Sequence, residues 1–317
     1  MAYLEQYNWD DIAPIPQNDG GENAVAPIAY SDEYRIAMEY LRAVMRVNEF
    51  SDRALKLTED VIYMNAAHYT VWQYRTRILF ALDKDLCQEL IWVEGVGRRF
   101  TKNYQIWNHR EVIIEKLGDP SRELPFIESM LELDSKNYHV WSYRQWLVRR
   151  FDLWATEVPF TDMMLELDVR NNSAWNHRFF AIFGRAEAVL SSVVDDEIEF
   201  TKSAIFTAPQ NPSAWNYLLG VLKKSGRPLS DLEQFCLTLS DLTKTFPATS
   251  SSTTTSHEED ILSARAIEVL AEIYAERNDF PRATHAWTLL AERYDCVREN
   301  YWNFKKRSAV SRLAGCA

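Results

Sequence analysis

Residues 103–110 read NYQIWNHR, residues 137–144 read NYHVWSYR and residues 171–178 read NNSAWNHR. Each places a Trp four residues after an Asn and an Arg three residues after that Trp. Residues 68–75 (HYTVWQYR) keep the Trp and the Arg, and residues 211–218 (NPSAWNYL) keep the Asn and the Trp. The five tryptophans, Trp72, Trp107, Trp141, Trp175 and Trp215, are 35, 34, 34 and 40 residues apart. A period in the thirties fixed by one large aromatic belongs to stacked helical hairpins. Such arrays present long surfaces to partners, which points first to a scaffold. The pattern predicts an all-α fold, a right-handed superhelix of antiparallel helical hairpins of tetratricopeptide-like kind.

Within the third copy the apolar spacing predicts a helix over 124–133, a turn over 134–137 and a second helix over 138–150. That second helix carries Trp141 and Arg144 one turn apart on one face. The fourth copy predicts the same, with a helix ending at Asp168 and another running through Trp175 and Phe180. Asn at each turn-to-helix junction suits an N-cap, whose side chain satisfies an orphan backbone N–H. Ahead of the repeats, Pro14, Pro16, Pro27 and the Gly20-Gly21 pair make residues 1–30 an extended arm. Ser31 then reads as a helix start, followed by Tyr34, Met38, Leu41, Val44 and Met45 at helical spacing. Residues 31–317 form the repeat domain. A polar insertion interrupts it near 244–260, where residues 249–256 read TSSSTTTS. Helices are predicted over 261–277 and 283–294. Residues 300–303 (NYWN) give a last partial echo, and Lys305, Lys306 and Arg307 suit a helix C-terminus.

With 317 residues and 47% hydrophobic content the chain can bury a large core. Nine glycines are few for the turns a β-rich fold needs. The net charge of −11 does not supply the basic surface that neutralises phosphates, which argues against a nucleic-acid partner. It leaves room for a local basic site that takes one anionic small molecule. The cysteines Cys87, Cys236, Cys296 and Cys316 show no metal-ligand spacing and suit a reducing, cytoplasmic setting. No signal peptide and no membrane-length apolar run is expected. Cys316 stands second from the end, where a CaaX box needs its Cys fourth, so the chain is not expected to be prenylated itself.

The recurrence of Trp and Arg assigns them to structure: Trp fills volume between hairpins, and Arg bonds carbonyls or a carboxylate at a repeat junction. His109 and His177 directly precede a repeat Arg, a placement that reads as packing or hydrogen bonding. The turns differ from one another. Equivalent turns of a hairpin array share one edge, and the second helix of each pair points its N-terminus there, where backbone N–H groups and the dipole favour anions. Successive turns offer Tyr69, Lys102, Tyr104, Gln105, Lys136, Tyr138, His139 and Arg170 to that edge. No nucleophile elbow, Walker loop, HExxH or dinucleotide fingerprint is present.

Residues 102–110 (KNYQIWNHR), followed by residues 136–141 (KNYHVW), resemble the alpha subunit shared by protein farnesyltransferase and protein geranylgeranyltransferase type I. So do residues 14–20 (PIPQNDG), 30–32 (YSD), 42–44 (RAV), 168–173 (DVRNNS) and 213–218 (SAWNYL). The likeness spans nearly the whole chain, and the arm makes it specific. The repeat alone would also fit the Rab geranylgeranyltransferase alpha subunit, and a non-enzymatic tetratricopeptide-like adaptor is a reading of another class. The resemblance implies a crescent of hairpins around a catalytic beta subunit that holds zinc and the isoprenoid pocket, with magnesium accompanying the diphosphate. It implies transfer of farnesyl or geranylgeranyl to the cysteine of a CaaX protein such as a Ras- or Rho-type GTPase. Lys102 and Tyr104 would act at the isoprenyl diphosphate. Gln105 would bond the carboxylate end of the CaaX peptide, and Asn103, Tyr69, Asn137, Tyr138 and His139 would line the same face. One departure is visible: His68 stands where the motif has Asn, which leaves the first cap weaker or differently made.

Overall fold

In the computed structural model the described residues are 6–18, 20, 26, 28–240, 242 and 262–315. The polar insertion expected at 244–260 lies outside them, as do Gly21, Pro27 and Cys316. The chain divides into two compact units, Met1–Leu153 and Trp154–Ala317.

The first unit opens with α1 (Asp32–Arg46), followed by three hairpins. These are α2 (Asp52–Met64) with α3 (Tyr69–Ala81), α4 (Leu86–Arg99) with α5 (Tyr104–Leu117), and α6 (Glu123–Leu133) with α7 (Tyr138–Phe151). The second unit pairs α8 (Glu157–Leu167) with α9 (Asn172–Phe183) and α10 (Ser191–Thr207) with α11 (Pro212–Ser225). After α12 (Glu233–Leu239) come α13 (Ala264–Glu276), α14 (Phe280–Leu289) and α15 (Glu299–Gly315), packed in sequence. The all-α expectation holds, and the third hairpin starts and stops within one residue of its predicted bounds. Among the described residues no helix is long and apolar enough to cross a membrane.

The caps follow from the residues. Ser31 accepts from the Tyr34 N–H to begin α1. Asn103, Asn137, Asn171 and Asn211 cap α5, α7, α9 and α11 through their side-chain oxygens. Each such cap contributes about 1 kcal/mol. His68 makes no side-chain cap bond, so the first repeat goes without one. Gly118 and Gly226, both at φ 72°, end α5 and α11 in the left-handed region that only glycine enters freely.

The repeat tryptophans are buried, which stabilises each hairpin on the order of 1.5–3 kcal/mol. They also close the turns. The indole N–H of Trp72, Trp141, Trp175 and Trp215 donates to the carbonyl six residues earlier, at Ala66, Ser135, Val169 and Pro209, over 2.8–2.9 Å. The repeat arginines find the carboxylates expected of them. Arg75 binds Glu89, Arg110 binds Glu123 and Arg178 binds Glu197, each through two N–H···O bonds of 2.6–2.8 Å. Each Glu comes from the first helix of the next hairpin. A second donor from that hairpin completes the bond set: His109 on Glu89, Tyr143 on Glu123 and Tyr217 on Glu197. His177 bonds Glu157 at 2.5 Å in the same register. These four glutamates were not singled out from the sequence, yet they recur at the same intervals as Trp107, Trp141, Trp175 and Trp215. That period was the signal that could have found them.

Two expectations are corrected near the C-terminus. Lys305, Lys306 and Arg307 do not end a helix but lie in the middle of α15. There Lys305 pairs with Glu272 at 2.9 Å and Lys306 donates to Thr288 at 3.3 Å, so the basic residues join neighbouring helices instead of neutralising a helix end. The helix predicted to open at 283 opens at Phe280 under an Asp279 cap, because proline is tolerated in a first turn. N-terminal to α1, the stretch with Trp9 packs on the first unit. Its Ile15 N–H donates to the Glu39 carbonyl at 3.1 Å and its Ile15 carbonyl accepts from Arg42 Nε at 2.8 Å.

Candidate functional site

The turns before α3, α5 and α7 lie side by side in the first unit. Asn137 Nδ2 donates to the Thr101 carbonyl at 2.8 Å, tying the α6–α7 turn to the α4–α5 turn. The Tyr104 and His139 rings stack with centroids 6.4 Å apart, and Tyr138 meets His139 edge-on at 5.8 Å. Tyr69 and Gln105, from the starts of α3 and α5, line one groove of about 450 Å³ with Trp72, Thr76 and His109. The eight expected site residues thus gather on one edge.

They divide by exposure. Tyr69, Tyr104 and Tyr138 each open a helix and stay 68, 61 and 77% exposed. Large aromatics left uncovered at three successive turns mark a surface that meets another molecule. Lys102 holds its ammonium out, with a side chain 79% exposed and Nζ 3.7 Å from Asp134 Oδ2. It stands ahead of the α5 N-terminus, where the dipole and uncommitted N–H groups add positive potential. By contrast Asn103 is occupied in capping Gln105 N–H at 2.9 Å. Asn137 is buried, and its oxygen accepts from the His139 and Val140 N–H groups while its amide holds Thr101. Gln105 is buried at the rim of the groove, a polar side chain well placed to bond a ligand group entering there.

Beneath the groove lies a charged layer. Glu89 is pushed up by burial, but its bonds to His109 and Arg75 outweigh that and hold it down at about 2. Burial pushes His109 below the ordinary imidazole value more than Glu89 raises it. The ring is therefore neutral at pH 7, its proton assigned to Nε2 by the Glu89 acceptor at 2.8 Å, with Thr76 Oγ1 3.0 Å from Nδ1. Among the described residues no three His, Cys, Asp or Glu side chains converge as a metal cluster would require.

The family model "Protein prenyltransferase alpha subunit repeat" matches residues 51–82, 86–117, 120–151, 154–184 and 194–225, the five hairpin copies. The chain is similar to the protein farnesyltransferase/geranylgeranyltransferase type-1 subunit alpha of Candida albicans, with 39% identity covering 95% of this chain and 96% of that one. The chain belongs to the protein prenyltransferase alpha subunit family. Within it, the type-1 subunit of Schizosaccharomyces pombe is 56% identical over 70% of this chain and 75% of its own. A type-2 geranylgeranyl transferase alpha subunit from Candida albicans matches over 23% of each chain, so the Rab-type alternative is disfavoured. In structure, Candida albicans protein geranylgeranyltransferase-I complexed with GGPP superposes with a TM-score of 0.87, covering 96% of this chain and 99% of that one at 38% identity. In this chain the buried Trp, Arg and Glu positions recur from hairpin to hairpin, and the residues of the turns vary.

Proposed function

We propose that the chain is the alpha subunit of a cytoplasmic heterodimeric CaaX prenyltransferase. With its beta subunit it transfers farnesyl or geranylgeranyl from the diphosphate to the cysteine of a CaaX protein. The sulfur of the thiolate bonds to C1 of the isoprenoid as the C1–O bond breaks, and diphosphate leaves with the bonding electrons. Negative charge builds on that leaving group, and an ammonium already in place stabilises it without reorganisation. Lys102, held out at the α5 N-terminus, is the group on this chain suited to that role. Tyr104 stands beside it as a phenol donor, and His139, stacked on Tyr104, completes the wall.

Gln105, at the groove with Tyr69, bonds the carboxylate of the CaaX terminus. Tyr138 lines the same face, and Asn103 and Asn137 hold the turns that carry these groups. Zinc belongs in this reading to the beta subunit and magnesium to the diphosphate. This chain's own described residues do not fit a metal centre, and its contribution rests on ammonium, phenol, amide and imidazole groups. The observation that carries the reading is the exposed Lys102 beside exposed tyrosines on one edge of a chain in this family. In the heterodimer, Lys102→Ala is expected to lower turnover by about a hundredfold or more while leaving assembly intact. Normal turnover of that variant would overturn the assignment.

A further inference from the structure

Lys102 is held from the hairpin that follows its own. The Thr101 carbonyl, one peptide before Lys102, accepts from Asn137 Nδ2 at 2.8 Å. Asn137 is 4% exposed and caps α7 with its oxygen, so every polar atom of its side chain has a partner within the chain. Asp134 begins the same turn. Its Oδ1 accepts from the Lys136 N–H at 3.1 Å, which orients the carboxylate, and its Oδ2 stands 3.7 Å from the Lys102 ammonium. A buried amide thus sets the backbone under Lys102 and a half-buried carboxylate meets its charge. The same backbone bond recurs within the second unit. Asn211 Nδ2 donates to the Val169 carbonyl at 2.8 Å, and Val169 precedes Arg170 and Asn171 as Thr101 precedes Lys102 and Asn103.

We propose that Asn137 and Asp134 are positioning residues that act on the prenyl transfer through Lys102. Asn137 fixes the peptide ahead of the lysine, and Asp134 holds the ammonium until the diphosphate displaces the carboxylate. The inference rests on the reading of Lys102 given above. An exposed ion pair is weak, so a dianionic ligand exchanges with it readily, yet the pair competes with ligand in the free enzyme.

The test is steady-state kinetics of the heterodimer with prenyl diphosphate and a CaaX peptide. Asn137→Asp keeps the oxygen that caps α7 and removes the N–H that holds Thr101. It is expected to lower kcat on the order of tenfold with the peptide KM unchanged within about twofold, because displacement of a charge-stabilising group acts on the transition state. In the Lys102→Ala background the same change is expected to have no further effect. Asn211→Asp breaks the equivalent bond in the second unit and is expected to lower thermal stability comparably with kcat unchanged. Asp134→Asn is expected to lower the KM for prenyl diphosphate about two- to fivefold, an effect that vanishes with Lys102→Ala. An Asn137→Asp loss that multiplies with that of Lys102→Ala, or an unchanged kcat, overturns the proposal. If Asn137→Asp does not fold, Asp134→Asn decides alone, and an unchanged diphosphate KM overturns it. A wild-type heterodimer that transfers no prenyl group fails the functional reading itself, a result separate from these.

Discussion

Glu123→Gln is the smallest change that exposes how the hairpins are joined. Glu123 is fully buried and Arg110 is 2% exposed. The carboxylate takes two bonds from Arg110, at 2.6 and 2.8 Å, and one from the Tyr143 hydroxyl at 2.6 Å. Burial pushes the Tyr143 phenol well above its ordinary value, with the Glu123 charge adding to it, so the hydroxyl stays a donor. The glutamine has nearly the same volume, hence no cavity opens. It does turn one acceptor into an N–H donor facing another donor, and it leaves the guanidinium buried without a counter-charge. Breaking a buried pair in this way costs about 3–5 kcal/mol. For a unit of this size that corresponds to a fall in Tm of roughly 6–20 °C. The control is Glu94→Gln, whose partner Arg98 lies 2.9 Å away but about two-fifths exposed. That pair is worth on the order of 0.2–1 kcal/mol. Melting of the heterodimer by calorimetry separates the two. Replacing both buried partners, as Arg110→Met with Glu123→Leu, is expected to recover only part of the loss, because an apolar pair needs no counter-charge but leaves the buried Tyr143 hydroxyl without its acceptor. If Glu123→Gln melts no earlier than Glu94→Gln, the junctions do not depend on buried charge pairing.

Acid is expected to weaken the first unit in a defined window. Glu89 titrates near 4.5 when unfolded and about 2 when folded, so its contribution is present above pH 4.5 and is lost as pH falls toward 2, a total of roughly 3 kcal/mol. His109, buried and shifted below 6.5, adds a loss that starts as pH drops below about 6.5, because the unfolded chain protonates first. Urea denaturation as a function of pH checks both, and a Glu89→Gln variant that keeps the same slope between pH 4.5 and 2 would refute the Glu89 part. Gln105→Leu in the heterodimer is expected to raise the CaaX peptide KM about tenfold or more, from loss of a bond to a carboxylate, with the diphosphate KM unchanged. Equal changes in both constants would remove Gln105 from the peptide end. Trp141→Phe removes the indole bond to Ser135 and part of a buried ring, and is expected to cost about 1–3 kcal/mol in urea titration.

The hairpins were legible because their cause is periodic. A Trp that fills the space between helices and bonds its own turn has to recur, and so does the Asn that caps the next helix. Helix ends governed by such residues matched expectation, as at Tyr138 under Asn137. Ends governed by tertiary contacts did not. Nothing local to Lys305 shows that Glu272 waits for it 33 residues back, so the basic cluster read as a terminus when it is a mid-helix contact. The junction glutamates were missed for a different reason. Glu89, Glu123 and Glu157 lie in first turns, where an isolated Glu looks like a dipole partner exposed to water, and only alignment of these and the mid-helix Glu197 with the tryptophan period marks all four as buried.

The site was legible in part, and the division has a physical basis. A cation precedes the repeat Asn three times, as Lys102, Lys136 and Arg170, so residue type and spacing alone did not single out Lys102. Resemblance to a known family did. The structure adds what a repeat pattern cannot hold, namely the surroundings in which the copies differ. Lys102 and Asp134 recur as Lys136 and Asp168, but the Tyr104 beside Lys102 stacks on His139 of the following turn, where the next copy has Ser173. Lys102 sits on the α5 turn, next to the groove that Tyr69 and Gln105 line. A periodic scaffold gives each turn the same backbone, cap and local dipole, and so the same weak affinity for an anion. Catalysis needs that affinity sharpened at one turn, which only aperiodic neighbours can do. Gln105 and His139 stand at the position, two after the cap residue, that changes from copy to copy (Thr70, Gln105, His139, Ser173), whereas the recurring buried Trp, Arg and Glu carry stability.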